Sequence, residues 1–187
     1  MKNNSKTRFT MIYIAQAGVI AALYVVLTIF ISAFNLASGA IQVRISEALC
    51  ILPYFTGAAV PGLTIGCFLA NLFVGGSIWD MIFGTLATFL GAVFSRMLRK
   101  NRFLVTLPPV VFNALIIPFV LYYGYGFTWA WEAGGMDLSI LFYVLTVGAG
   151  EVLSVCGLGS LLLHVLLPVR KHLFPEYESA AGSKMTV

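Results

Sequence analysis

The sequence predicts an all-α integral membrane protein, a compact bundle of six transmembrane helices with both termini in the cytoplasm. Two observations carry this prediction. Long apolar stretches fill most of the 187 residues, and ten of the eleven Lys and Arg residues fall into three clusters between or beyond these stretches. Because clusters of positive charge stay on the cytoplasmic side of a membrane, an even number of spans has to separate each cluster from the next.

The composition excludes an ordinary soluble domain. Hydrophobic residues make up 60% of the chain and charged residues only 10%, whereas soluble domains carry about 25% charged residues. The mean hydropathy is +0.96 and the pI is about 9.1. Since the basic residues flank the apolar runs, we attribute the positive charge to membrane topology and expect no nucleic-acid partner. The first apolar run is too long for a signal peptide and lacks a clear cleavage site.

The six spans are placed where the apolar runs begin and end. A span needs about 20 apolar residues. We place the spans at about 9–34, 45–55, 59–74, 78–97, 103–123 and 138–169. Spans two and three are short, and Pro53, Gly57, Pro61 and Gly62 mark a tight turn between them. Joining them into one helix would give five spans and would put the termini on opposite sides, against the charge pattern.

This topology places the protein in the cell membrane and divides the chain into three parts. Residues 1–8 are a cytoplasmic N-terminus, residues 9–169 form the membrane domain, and residues 170–187 are a cytoplasmic tail. The loops on the outer side are then residues 35–44, 75–77 and 124–137. The last of these alternates Gly with aromatic residues, which suits either an anchor at the membrane interface or a mobile flap over a site.

Three charged residues near or inside the spans are the first candidates for function, because ionisable groups in a membrane are costly. Glu151 lies near the middle of span six, beside Gly148 and Gly150, where a flat ligand could approach the backbone. A ligand contact, a proton relay and a neutral hydrogen-bonded carboxyl are all open for Glu151. Arg44 and Glu47 lie three residues apart at the outer start of span two. They form either a helix-end ion pair or contacts with a polar ligand.

Further polar and aromatic candidates map to the outer half or the midplane of the predicted bundle. Asp80 can bind a ligand or cap the start of span four, and an Asn in hydrocarbon needs a partner on another helix or on a ligand. Little polar chemistry maps to the cytoplasmic half. This asymmetry predicts a pocket that is open to the outside and holds a small flat heterocycle by stacking and hydrogen bonds. The candidates are Asn71, Trp79, Asp80, Asn113, Trp131 and Tyr143.

Span one carries small residues at the spacing of one helical turn. The pairs are Ala17 with Ala21 and Gly18 with Ala22. Such pairs let another backbone approach closely, so they predict either packing within the bundle or the docking of a partner near the cytoplasmic surface.

Motifs for enzymatic chemistry are missing from the sequence. It contains neither a G-x-x-x-x-G-K-[ST] loop for ATP nor an H-E-x-x-H metal motif. The three cysteines lie inside apolar runs without the spacing of metal ligands. We therefore expect no enzyme, no metal and no cofactor.

Two segments carry a resemblance to a known family. Residues 41–53 read IQVRISEALCILP, and residues 71–88 read NLFVGGSIWDMIFGTLAT. Together with the Ala17–Ala21 pair, they resemble the substrate-binding S-components of energy-coupling factor (ECF) transporters and, within that class, the QueT family. The resemblance extends over nearly the whole chain.

The resemblance implies a six-span, S-component-like subunit for uptake of queuosine precursors, which are 7-deazaguanine bases such as preQ1 or queuine. Span one would dock onto a transmembrane coupling protein, and two cytoplasmic ABC ATPases would supply the energy. Glu151 or Glu47 would accept the N–H groups of the base, and Arg44, Asn71 or Asn113 would donate to its carbonyl. Trp79, Tyr143 or Trp131 would stack on the rings.

Other functions stay open from the sequence. The chain could be an S-component for another vitamin or nucleobase-like nutrient. It could also be a standalone proton-coupled transporter that uses Glu151 as its relay and needs no ATPase. An intramembrane enzyme would need a nucleophile or a metal site, which the sequence does not offer.

Overall fold

The computed structural model describes residues 2–33, 44–126, 132–133 and 136–174. This part of the chain is helical apart from a short antiparallel pair, β1 (Glu132–Ala133) with β2 (Met136–Asp137). The all-helical prediction is confirmed. The helices are α1 (Lys2–Ser32), α2 (Ile45–Tyr54), α3 (Ala59–Phe73), α4 (residues 78–97), α5 (Leu104–Gly124) and α6 (Ser139–Leu173).

Three of these helices are long and apolar enough to cross a membrane. They are α1 from Thr7, with 26 residues to Ser32, α5 with 21 residues and α6 with 35 residues. Large apolar side chains on them remain exposed, such as Met11 at 66% and Leu161 at 64%, a surface that suits lipid better than water. The helices α2 and α3 are shorter, with 10 and 15 residues. The count of six spans and the orientation of the termini therefore stay predictions.

The short helix α2 is a 3₁₀ helix at the centre of the bundle. It contains Pro53 and packs against α1, α4 and α6. Because a 3₁₀ helix rises about 2 Å per residue, its ten residues cover more depth than an α-helix of that length. Cys50, Ile51 and Phe55 in and after α2 are fully buried. This central segment includes Glu47, so the fold brings a carboxylate into the core.

The seam between α1 and α3 is made of small residues. A Cβ atom added to Gly62 would lie 2.8 Å from the carbonyl oxygen of Ala17, and one added to Gly66 would lie 3.1 Å from Cα of Ala21. The two backbones are thus as close as they can be. The pair Ala17 and Ala21 contacts α3 within the chain, whereas Gly18 is exposed with nothing within 4 Å of an added Cβ.

Three helices contain a wider π-helical stretch. These stretches are Asp80–Gly84 in α4, Val120–Gly124 in α5 and Val152–Gly159 in α6. π-Helical turns are rare and occur frequently at functional sites. One begins at Asp80, and another begins directly after Glu151. The widened turns therefore adjoin two of the residues predicted to bind a ligand.

The end of the bundle at which α1 begins is tied by polar contacts. Tyr13 donates to the Gly57 carbonyl at 3.1 Å, and Gln16 donates to the Leu173 carbonyl at 2.9 Å. Arg96 donates to the Pro53 carbonyl at 2.9 Å. These bonds hold α1, α4, α6 and the turn after α2 together at this end, and the candidate site lies towards the other end.

Candidate functional site

Glu47 is a buried carboxylate that is held on both oxygens. Its side chain is 1% exposed. The Tyr24 hydroxyl of α1 donates to Oε1, and the Cys50 thiol donates to Oε2 at 3.0 Å. One turn further along α1, the Thr28 hydroxyl donates to Oγ of Ser46 at 2.9 Å. The C-terminal half of α1 therefore fixes the start of α2, and with it Glu47.

Glu151 lies against the same region from α6. It is 5% exposed, and its charge interacts with Glu47 and Arg44. Arg44 is half-buried, and its guanidinium also interacts with Asp80. The structure thus places three carboxylates, one each from α2, α4 and α6, within electrostatic range of Arg44, which directly precedes α2. This cluster of Arg44, Glu47, Asp80 and Glu151, called the charged cluster below, contains three carboxylates and one guanidinium.

The Glu151 carboxylate differs from that of Glu47 in one respect. Its Oε2 atom is buried and has no hydrogen-bond partner among the described residues. The same holds for Oγ of Ser154, one turn later on α6, and for Oγ1 of Thr85 on α4. Because buried polar atoms in native proteins are nearly always hydrogen-bonded, these three atoms are candidates for contact with a ligand.

Asp80 and Asn71 organise the connection between α3 and α4. The Tyr125 hydroxyl, at the end of α5, donates to Asp80 Oδ2. The side-chain amide of Asn71 donates to the backbone carbonyl of Asp80 at 3.1 Å. The backbone carbonyl of Asn71 accepts from the backbone N–H of Gly76 at 2.8 Å. The structure therefore gives Asn71 a local structural contact, and its predicted role in ligand binding stays a prediction.

Asn113 and Tyr143 are both buried. The Asn113 amide donates to the Pro109 carbonyl of its own helix at 3.1 Å. Tyr143 is 7% exposed and packs with Ile117, Leu121 and Val147. A ligand role for either residue is untested.

Trp79 lines an apolar groove rather than the charged cluster. It is 48% exposed and stacks on Phe83 at 5.9 Å between ring centroids. The groove has a volume of about 410 Å³ and lies between α4 and α5. Trp79 is the one predicted site residue in its lining. The other lining residues are Phe83, Leu86, Leu115, Ile116, Phe119, Val120, Tyr123 and Gly124.

The structure bears only in part on two further predictions, the role of Trp131 and the docking strip of α1. Trp131 lies outside the described residues, as does half of the predicted flap at residues 124–137. Of the predicted docking residues, Ala21 is buried and Ala17 is half-buried against α3, while Gly18 and Ala22, about 100° further around α1, are exposed. Docking itself is untested. The described residues contain no group of three His, Cys, Asp or Glu residues that could hold a metal ion.

Tyr24, Cys50 and Ser154 were not predicted from the sequence. A signal existed for Ser154, because it follows Glu151 by three residues and therefore lies on the same helix face. Cys50 stands in the same relation to Glu47. Tyr24 had no such signal, since it meets Glu47 only when α1 packs against α2.

Comparison with known proteins identifies the family. The family model described as "QueT transporter" matches residues 14–168. A relative in Lactococcus lactis subsp. cremoris (strain MG1363), "Queuosine precursor transporter QueT", is 36% identical over 75 residues, which are 40% of this chain and 44% of the relative. The chain thus spans less than half the length of this relative in the match, and no solved structure matches. The chain belongs to the QueT transporter family, which confirms the resemblance to that family.

Proposed function

We propose that this chain is the membrane-embedded subunit that binds a queuosine precursor, a 7-deazaguanine base, for uptake into the cell. The observation that carries the proposal is the buried Oε2 of Glu151, which has no hydrogen-bond partner in the described part of the chain, in a side chain that interacts electrostatically with Arg44 and Glu47. An ionisable group inside a membrane marks a substrate path or a relay by default. The name of the lactococcal relative supplies the substrate class.

The chemistry of a deazaguanine matches the charged cluster. The base presents N1–H and an exocyclic amino group as donors, and a carboxylate accepts both. Its carbonyl needs a donor, which Arg44 provides without any acceptor function of its own. Glu47 already accepts from Tyr24 and Cys50, so Glu151 is the carboxylate available for the base.

The balance of charge favours a cationic precursor. The charged cluster holds Glu47, Asp80 and Glu151 against the single cation Arg44. A precursor with an aminomethyl group, such as preQ1, carries a positive charge that offsets this excess, whereas a nitrile precursor does not. We therefore expect preQ1 to bind more tightly than its nitrile analogue, and queuine, which also contains an amine, to be accepted if its larger substituent fits.

The test is ligand binding by the purified protein. A ligand that binds only the folded state raises the unfolding temperature by mass action. The panel contains preQ1, its nitrile analogue, queuine, guanine, thiamine and riboflavin, and calorimetric titration follows for each stabilising ligand. We expect stabilisation by the deazaguanines and none by the two vitamins. Stabilisation by a vitamin alone would assign the chain to another nutrient.

We further propose that uptake depends on an ECF module, with a transmembrane coupling protein and two cytoplasmic ABC ATPases. The exposed residues Gly18 and Ala22 offer a strip on α1 that a partner helix could approach closely. Replacing Gly18 by Leu should abolish co-purification with the coupling protein and leave ligand binding unchanged. Gly157 of α6 is also exposed, with nothing within 4 Å of an added Cβ, so Gly157→Leu is the matched control. Loss of assembly in both variants would count against a docking strip on α1.

A second candidate is a proton-coupled transporter without ATPases, in which Glu151 exchanges protons. The burial of Glu151 beside a second carboxylate favours it. Proteoliposomes that contain this chain alone separate the two functions. Uptake driven by a pH gradient supports the relay, whereas ligand binding without uptake supports the subunit role.

A further inference from the structure

Ser154 is a buried hydroxyl with no partner in the part of the chain that the structure describes. Its side chain is 1% exposed, and its Oγ atom has no hydrogen bond. A serine inside a helix usually bonds to the carbonyl of the preceding turn, as the Thr88 hydroxyl does with the Gly84 carbonyl at 3.1 Å. Ser154 makes no such bond, although it lies in a π-helical stretch with widened turns.

Ser154 and Glu151 lie on the same face of α6. The buried positions Val147, Gly150, Glu151, Ser154 and Val155 follow the spacing of one helix face. Side chains three residues apart on a helix are neighbours, with about 5–6 Å between Cβ atoms. The carboxylate oxygen and the hydroxyl, neither of which has a partner among the described residues, therefore lie on the same buried side of α6.

This face of α6 is directed at α2. The stretch Val152–Gly159 packs against α2, and a Cβ added to Gly159 would lie 3.3 Å from the Ala48 carbonyl oxygen. Glu151 interacts electrostatically with Glu47 of α2. Ser154 thus lies on the side of α6 that borders the charged cluster, and not on the lipid-facing side.

We infer that Ser154 is a ligand-binding residue that, together with Glu151, recognises an N–H donor next to a carbonyl acceptor. Glu151 accepts the N–H, and the Ser154 hydroxyl donates to the carbonyl oxygen. Such a lactam edge is present in guanine-type bases and absent from adenine-type bases. The inference rests on the proposed function and adds the group that determines specificity at the carbonyl.

The apo protein and the complex should respond to a Ser154 variant in opposite directions. A buried hydroxyl without a partner destabilises the free protein, because it has lost its bonds to water. Removal of that hydroxyl as Ser154→Ala should keep or raise the unfolding temperature of the apo protein. It should also weaken ligand binding, since the ligand carbonyl then keeps only Arg44 as a donor and loses one of its two hydrogen bonds. A serine with a purely structural role would not give this combination.

The decisive experiment compares two ligands on two proteins. The ligands are preQ1 and its analogue without the carbonyl group, and the proteins are the wild type and Ser154→Ala. We expect Ser154→Ala to lose about 10-fold in affinity for preQ1 and less than about twofold for the analogue. Equal losses for both ligands, or no loss for either, would overturn the inference.

Ser95→Ala is the matched control. Ser95 is also fully buried, but its hydroxyl donates to the Val105 carbonyl at 2.7 Å. This variant should lower the unfolding temperature and leave the ratio of the two affinities unchanged. Failure of wild-type protein to bind either ligand would overturn the proposed function. In that case the stability of the apo protein still tests the Ser154 inference. A lower unfolding temperature for apo Ser154→Ala would show that the hydroxyl is bonded within the fold and would overturn the inference.

Discussion

At the scale of single residues, Glu47 and Glu151 show how two buried carboxylates in one cluster differ. Glu47 accepts a hydroxyl and a thiol from its own chain, whereas Glu151 has an oxygen without a partner in the described residues. A satisfied buried carboxylate is part of the structure, and an unsatisfied one is destabilising until a donor arrives. We therefore expect Glu151 to contact the ligand and Glu47 to have a supporting role.

Glu151→Gln tests the ligand contact. The amide donor would then face the N–H donor of the base, and the charge-assisted bond would be lost. We expect a loss of about 2–4 kcal/mol in binding free energy, or roughly 30- to 1,000-fold in affinity. Calorimetric titration with preQ1 measures it, with Asp137→Asn as the control outside the cluster. A well-folded Glu151→Gln protein with wild-type affinity would remove Glu151 from the site.

Tyr24→Phe tests the support of Glu47. The Tyr24 hydroxyl donates to a buried carboxylate, whereas the Tyr13 hydroxyl, on the same helix, donates to a half-buried backbone carbonyl. Bonds to charged groups contribute about 1.5–3 kcal/mol and neutral ones about 0.5–1.5 kcal/mol. Tyr24→Phe should therefore lower the unfolding temperature more than Tyr13→Phe in the same detergent. Equal shifts would show that the Glu47 carboxylate does not depend on Tyr24.

At the scale of helices, the contact between α1 and α3 allows no additional atom on its α3 side. A Cβ on Gly66 would lie 2.8 Å from Cβ of Tyr24, so Gly66→Ala should cost about 1–3 kcal/mol of stability through overpacking. Gly18 faces away from the bundle, and Gly18→Ala should be neutral or stabilise by up to about 1 kcal/mol through helix propensity. Thermal unfolding in detergent compares the two. Destabilisation by Gly18→Ala would mean that this face of α1 is covered.

The beginning of α6 depends on an exposed carboxylate. Hydrogen bonds from the Ser139 hydroxyl and amide, and then from Tyr122, lower the pKa of Asp137 below its usual value. Because the ionised form is the bonded one, this stabilisation is complete above the unfolded pKa of about 3.8 and is lost as the pH falls through the lower folded pKa. Amide exchange at residues 139–142 should accelerate over that acidic range. In Asp137→Asn this pH dependence should disappear, and its persistence would point to another group.

At the scale of the whole molecule, the orientation in the membrane follows from the charge clusters and is open to direct test. Val74 and Lys100 are both exposed but lie at opposite ends of α3 and α4. In a variant without the native cysteines, an impermeant thiol reagent applied from outside should label Val74→Cys and not Lys100→Cys, because basic loops stay inside. Labelling of Lys100→Cys alone would invert the topology, and labelling of both would mean that the two positions are not separated by the membrane.

The sequence by itself determined the helical class, most helix positions and the family. The fourth predicted span, residues 78–97, coincides with α4, and the ends of the fifth agree with α5 to within one residue. Apolar length and breaks at Gly and Pro are local properties, so they can be read from the chain. The same holds for Glu151, which is conspicuous because a carboxylate in an apolar run is costly wherever it packs.

Only the tertiary structure decided which candidates belong together. It paired Glu47 with Tyr24 and Cys50 and showed that the Asn71 side chain is hydrogen-bonded to the backbone of Asp80. It also showed that Trp79 lines an apolar groove. It also divided the small residues of α1 between a seam with α3 and an exposed strip. Each outcome depends on the rotation of one helix against another, and a rotation of one residue position, about 100°, exchanges buried and exposed faces. The spacing along a single helix carries no information about that rotation relative to its neighbours.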